Sequence, residues 1–179
     1  PKFVYHLDAN FRQNLSNVYK NEITDYSTVV DLMSSWDSYL PLEKKYKKVI
    51  GHGLNKQELK KNKIFDSYWI QNFNLNQEIP LDQESVDYCL MVAAWQYLQY
   101  PENLTKEISR ILSSQGKFII AFSNRAFWHK APNIWTSSTE EERVKYVRKV
   151  LISNGFNEPK IIKKFTEPTQ ISFHDFEFF

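Results

Sequence analysis

The sequence predicts an α/β protein, a three-layer sandwich around a mostly parallel central sheet of about seven strands. Three observations carry that prediction. Short β-branched or aromatic runs alternate with polar segments of helical period along the chain. Val86–Val92 is nearly continuous in apolar residues, as a central parallel strand covered on both faces requires. No repeat, low-complexity tract or linker divides the 179 residues, so residues 1–179 read as a single domain with a full core.

Each element has its own reason. Phe11, Leu15, Val18 and Tyr19 recur at helical spacing and predict a helix over residues 9–22, with Asn10 as its cap. Thr28–Met33 follows as the first strand and Lys48–His52 as the second. Asn55–Asn62 reads as a short polar helix, and Tyr68–Phe73 as the third strand. Val86–Val92 is the fourth. Pro101 opens a helix in which Leu104, Ile108, Ile111 and Leu112 form one apolar stripe. Ser113-Ser114-Gln115-Gly116 is expected to end it, with the glycine in the left-handed cap position. Lys117–Ser123 is the fifth strand. An aromatic loop over residues 124–138 leads to a helix opened by Thr139-Glu140-Glu141-Glu142 and closed by Gly155, with Val144, Val147 and Leu151 facing the sheet. Lys160–Phe165 and Ile171–Phe179 supply two last strands.

Composition excludes several chemistries. There are four glycines, at 51, 53, 116 and 155, so the chain has no G-x-G-x-x-G, no P-loop and no glycine-rich phosphate cradle. The same shortage counts against a dinucleotide such as NAD as ligand. Net charge is +2, from 23 basic and 21 acidic residues, which gives no reason to expect nucleic acid or anionic lipid as partner. The lone Cys89 rules out an internal disulfide and a multi-thiolate zinc site, and its apolar neighbours make it a core residue. His6, His52, His129 and His174 fall in different elements with no i, i+4 pair, so no metal site is expected. No apolar run approaches the roughly 18 residues of a membrane span, and the N-terminus lacks a signal-peptide pattern. The expectation is a cytoplasmic protein.

In an open α/β sheet, ligands bind beyond the carboxyl ends of the strands. Those tails are Asp31-Leu32-Met33-Ser34-Ser35-Trp36-Asp37, Gly53-Leu54-Asn55, Asn72-Phe73-Asn74, Val92-Ala93-Ala94-Trp95-Gln96-Tyr97 and Ser123-Asn124-Arg125. Small amides, hydroxyls and aromatic rings dominate them. Val29-Val30-Asp31-Leu32 begins the series as two apolar residues, an aspartate and a further apolar residue. Ile79-Pro80-Leu81 precedes Asp82-Gln83-Glu84-Ser85-Val86-Asp87, and Ile108-Ser109-Arg110-Ile111-Leu112 precedes Gly116-Lys117. In this order and spacing, residues 25 to 165 resemble the class I S-adenosylmethionine-dependent methyltransferases of the type 11 group. The stretches Asp31–Trp36 and Phe122–Arg125 further resemble a small subgroup of such proteins.

The resemblance implies a Rossmann-like methyltransferase fold that takes S-adenosylmethionine and releases S-adenosylhomocysteine. It implies cofactor contacts from Asp31, Met33, Ser34, Ser35, Asn55, Asn72, Phe73 and Val92. A small or amphipathic acceptor would meet Trp36, Trp95, Gln96, Trp128 and Trp135, whose rings offer apolar and cation–π contact. Residues 1–24 would cap the site and the 124–138 loop would lie near it. Alignment supplies much of the acceleration in methyl transfer, and His6 and His129 are the candidate bases where the acceptor is protonated. Arg125 would hold an acidic acceptor or form an ordinary surface ion pair.

Three departures from the family pattern stand out. Met33, Ser35 and Asp37 occupy the positions of the glycines in the first motif. A non-glycine residue at positive φ costs about 1–3 kcal/mol, so this turn is expected to take another path. Gly53 stands where an acid grips the ribose hydroxyls, with Asn55 and Glu58 nearby to replace it. Asn72 takes the place of the acid that meets the adenine amino group, and its oxygen can still accept that bond. Several residues carry a second reading. Asp31 would accept hydrogen bonds from neighbouring loops, Asn55 would cap the following helix, and Trp128 and Trp135 would pack their loop onto the domain. These departures motivate the alternative of a catalytically inactive relative that binds cofactor or a partner without turnover.

Overall fold

The computed structural model describes residues 3, 5, 7–122 and 131–162. Their element order is α1 (Ala9–Glu22), β1 (Thr28–Leu32), β2 (Lys48–Gly53), α2 (Lys56–Lys61), β3 (Ser67–Ile70), β4 (Val86–Val92), a 3-10 turn (Trp95–Tyr97), α3 (Pro101–Ile111), β5 (Leu112–Ala121), α4 (Asn133–Thr136) and α5 (Glu140–Ser153). The five strands form one sheet in the order β3-β2-β1-β4-β5. Every pairing is parallel: Val30 lies beside Ile50 and Cys89, and Ile50 beside Ser67. The α/β class and the parallel sheet are as the sequence predicts, with five strands described instead of about seven. Of the predicted strand at 160–165, residues 160–162 are irregular and the rest lies outside the described residues, as does 171–179.

Strand alternation sorts the core into two layers. Val30, Leu32, Ile50, Cys89 and Met91 face α3 and α5, where they meet Leu104, Ile108, Ile111, Val147, Val150 and Leu151. Val29, Val49, Tyr88 and Leu90 face the other way, onto Leu15 and Tyr19 of α1. α1 therefore covers a sheet face. This follows from the first crossover: parallel strands need a connection that returns over the sheet, usually a helix. Residues 33–47 between β1 and β2 contain none. Their Leu40, with Tyr39 and Tyr46, joins the α1 layer and fills the place.

Local signals set the element ends. Asp8, and not Asn10, caps α1, its Oδ1 accepting the Phe11 N–H at 2.8 Å. Thr139 and Glu142 form a reciprocal capping box at the start of α5. Gly155, at φ +89°, closes that helix: its N–H reaches the Ile152 carbonyl and the Phe156 N–H reaches Leu151. Val144 is half-buried, whereas Arg143 and Val150 are buried alongside Val147 and Leu151. Gly116 does not cap α3. That helix ends at Ile111, Leu112 is already extended at φ −71° and ψ 136°, and Gly116 lies within β5. The register explains the difference, because β5 advances from Leu112 to Lys117 while β4 advances only from Val86 to Tyr88. The extra residues form a bulge.

Candidate functional site

The connections change direction between β1 and β4: β1 leads outward to β2 and β3, and β4 to β5. An open sheet takes its ligands in the crevice beyond the strand ends at such a point. Both central strands end there on a left-handed residue that is not glycine, Met33 at φ 54° and Ala93 at φ 49°. The expectation that the first turn avoids positive φ is thus corrected. Such a residue costs about 1–2 kcal/mol and needs its neighbours to hold it. The Ala93 N–H donates to the Ala121 carbonyl at 2.7 Å. The Met33 N–H donates to Nδ1 of His52 at 3.0 Å, and the Ser34 N–H to the His52 carbonyl at 2.6 Å.

Behind this turn, Asp31 lies buried on the α1 side of the sheet. The Ser34 hydroxyl donates to its Oδ2 at 2.7 Å, and Ser38 adds a second hydrogen bond. Burial pushes the Asp31 carboxyl up to about 7, the two hydroxyls opposing the shift and the charge of Asp37 adding to it. Asn62 then donates to the Ser38 hydroxyl at 2.8 Å and to the Ser35 carbonyl at 3.2 Å. Asp31 therefore acts on the loop through hydroxyls and sets the path of residues 34–38.

At the end of β2, Gly53 carries the loop directly on top of it. A Cβ on Gly53 would stand 2.5 Å from the Ser34 carbonyl oxygen. No acid fits where the resemblance expects one. Asn55 is the N-cap of α2, its Oδ1 accepting from the N–H groups of Gln57 and Glu58. Its Nδ2 donates to Glu58 Oε1 at 3.0 Å, and the Ser35 hydroxyl donates to Glu58 Oε2 at 2.7 Å. Half-buried Glu58 is thus the carboxylate beside the first loop.

The remaining predicted residues divide. Asn72 is exposed and shapes its own turn, accepting the Asn74 N–H at 3.0 Å. Phe73 is buried against His52, with ring centroids 4.0 Å apart, and Val92 is half-buried on the α1 side. Trp36 packs against Tyr5 at 4.6 Å and Phe3 at 6.5 Å, with Lys61 Nζ 5.8 Å from its ring. Trp95, Gln96 and Trp135 are each only 2% exposed. The two tryptophans belong to the core beneath α3 and α5, which removes them from the wall of an open acceptor pocket. His6, Arg125, Trp128 and His129 lie outside the described residues.

Sequence reading missed His52 and Ser38. A lone histidine inside a strand carries no mark of its partners, and only the register reveals them. Among the described residues no group of three or more His, Cys, Asp or Glu could hold a metal ion, and no helix is long and apolar enough to cross a membrane. An open groove of about 590 Å³ lies elsewhere, between residues 76–82 and α3, and none of the predicted site residues lines it.

Comparison with known proteins agrees with this geometry. A family described as a methyltransferase domain matches residues 38–120. No curated protein matches the sequence. Among solved structures, a protein described as a methyltransferase, in complex with the Trm112 activator of Haloferax volcanii, is 20% identical with a TM-score of 0.61, over 82% of this chain and 68% of that one. An S-adenosylmethionine-dependent methyltransferase of Aquifex aeolicus is 18% identical with a TM-score of 0.57, over 83% and 88%. A protein of Methanococcus maripaludis, described as an S-adenosylmethionine-dependent methyltransferase, is 20% identical with a TM-score of 0.60, over 85% and 78%. The sheet order and the parallel registers give this chain the fold of these solved methyltransferase structures, and its residues 38–120 match a methyltransferase domain.

Proposed function

We propose that this chain transfers a methyl group from S-adenosylmethionine to a small or amphipathic acceptor, mainly by binding and alignment. The observation that carries the reading is the pair of left-handed residues, Met33 and Ala93, that follow the paired ends of β1 and β4 at the point where the connections change direction. The residues present fit the cofactor along a changed route. Met33 supplies the left-handed turn that a glycine would, so the backbone of residues 33–35 would meet the methionine part. With Gly53 closed, the ribose hydroxyls would meet the Glu58 carboxylate. When bound, the cofactor supplies a methyl group already activated on a sulfonium. The protein's share is then to hold the loop, exclude water and orient the acceptor, with Trp36, Tyr5 and Phe3 offering aromatic contact beside the first loop. His6 and His129 remain the proposed bases, and Arg125, Trp128 and the 124–138 loop belong to the proposed acceptor side. Calorimetry with S-adenosylmethionine and S-adenosylhomocysteine tests the binding half. Heat with both is expected, and no heat with either at about millimolar ligand would sink the proposal.

A specific observation favours the alternative of a relative without turnover: Asp31, Asn55 and Asn72 all spend their hydrogen bonds within the protein. Binding of S-adenosylhomocysteine with no transfer to any member of a broad acceptor panel would select that reading. One confirmed methylated product would end it.

A further inference from the structure

We propose that His52 is a positioning residue whose imidazole holds Met33 in the left-handed backbone and thereby sets the loop of residues 33–35, doing the work of the absent glycine. Three strand tails meet at this one ring. On the β1 side its Nδ1 accepts the Met33 N–H at 3.0 Å, and on the β3 side its Nε2 lies 3.0 Å from the Gln71 carbonyl oxygen. A carbonyl can only accept, so the ring proton belongs on Nε2, which leaves Nδ1 bare to take the Met33 N–H. The partner groups thus dictate the tautomer.

The ring is also fixed in place. Its centroid lies 4.0 Å from Phe73 and 4.8 Å from Trp69, at interplanar angles of 34° and 37°. Gln71 is itself tied, since its Nε2 donates to the carbonyls of Asn76 and Glu78 and its Oε1 accepts the Trp69 indole N–H. Burial keeps the imidazole neutral, with its pKa lowered to about 4. A protonated ring would set a second N–H against that of Met33. The bare nitrogen therefore persists at neutral pH. Because the His52 carbonyl also takes the Ser34 N–H, this residue fixes two successive amides of the turn.

A histidine kept only for packing would be replaceable by phenylalanine, and that contrast provides the test. In the ligand-free protein, nitrogen NMR should find His52 as the Nε2–H tautomer and hydrogen exchange should find the Met33 amide protected. In His52→Phe and His52→Gln, which lack an acceptor at the Nδ1 position, the Met33 amide should exchange at least about thirtyfold faster while Val30 stays protected. His52→Asn, whose Oδ1 restores that acceptor, should stay within about fivefold of the wild type. An Nδ1–H tautomer, an unprotected Met33 amide in the wild type, or equal behaviour of the Asn and Phe variants would overturn the proposal. The functional consequence rests on the methyltransferase reading. S-adenosylhomocysteine affinity should fall about tenfold in the Phe and Gln variants and recover in the Asn variant. A protected Met33 with no ligand heat in the wild type would refute the methyltransferase reading alone. Ligand heat with an unprotected Met33 would refute only the role of His52.

Discussion

At Gly53 the chain has no space for even one carbon, since a Cβ would press on the Ser34 backbone oxygen at 2.5 Å. Backbone cannot swing aside as a side-chain end does, so Gly53→Ala should cost about 2 kcal/mol or more in urea unfolding. Gly53→Asp, which restores the acid expected at this position, should fare no better and should not improve S-adenosylhomocysteine binding. A stable Gly53→Asp protein that binds more tightly would show that the loop leaves Gly53 freely. Glu58 offers the complementary test. Its carboxylate stands beside Ser35 and Asn55, 2.7 and 3.0 Å from their donors. Glu58→Gln replaces one acceptor oxygen by a donor and should weaken S-adenosylhomocysteine binding about tenfold, with little change for an analogue lacking the ribose hydroxyls. An equal loss for both ligands would mean that Glu58 only supports the loop.

Among the elements, α3 explains why two of the sequence motifs occur together. Arg110 donates to the carbonyls of Leu81 at 2.9 Å and Ile79 at 2.8 Å. It also pairs with Glu107 at 2.8 Å, whose Oε2 accepts the Ile79 N–H at 2.9 Å. The helix thereby clamps the Ile79-Pro80-Leu81 segment that feeds β4. The guanidinium beside Glu107 holds that carboxyl below the usual carboxylate range. Arg110→Lys keeps the charge but loses the fork, so both Arg110→Ala and Arg110→Lys should lower unfolding stability, by about 1–2 kcal/mol for alanine and nearly as much for lysine. Full rescue by lysine would reduce the clamp to a surface charge effect. The strands and helices here were legible because burial on one or both faces leaves a period in the sequence, as in Val86–Val92 and the stripe of α3. Gly116 misled because a glycine after a helix ordinarily signals a left-handed cap, and only pairing with β4 reveals a bulge. Met33 was illegible for a related reason: a left-handed methionine depends on an acceptor 19 residues away. The positions of Trp95 and Trp135 at the ligand edge suggest pocket rings, but both are buried in the core, which for Trp135 is the second reading its loop already offers.

Taken across the molecule, the two buried titratable groups behind the first turn oppose each other in their pH linkage. Asp31 is raised from 3.8 to about 7, so between those values the folded protein keeps a proton that the unfolded chain releases. Stability from this group falls as pH rises through that window. His52 is lowered from 6.5 to about 4, so over that range the unfolded chain binds a proton that the folded protein refuses. Its contribution rises with pH. Each has a limiting slope of about 1.4 kcal/mol per pH unit, and the signs are opposite. The groups that bear on Asp31 from other elements are Tyr19 of α1 with Tyr39 and Asp37 of the first crossover, and both tyrosines have pKa values raised chiefly by burial. They do not titrate in the window. The lowered carboxyls of Glu22 and Glu107 act below about pH 4.5. Unfolding free energy of the wild type should therefore be nearly flat between about pH 4.5 and 6.5. Asp31→Asn removes the falling component and should leave stability rising with pH over that range. His52→Asn removes the rising one and should leave stability falling. The signs of the two variant slopes decide the matter: equal signs, or a variant as flat as the wild type, would mean that the turn beyond β1 is not built on a neutral imidazole and a reluctant carboxyl.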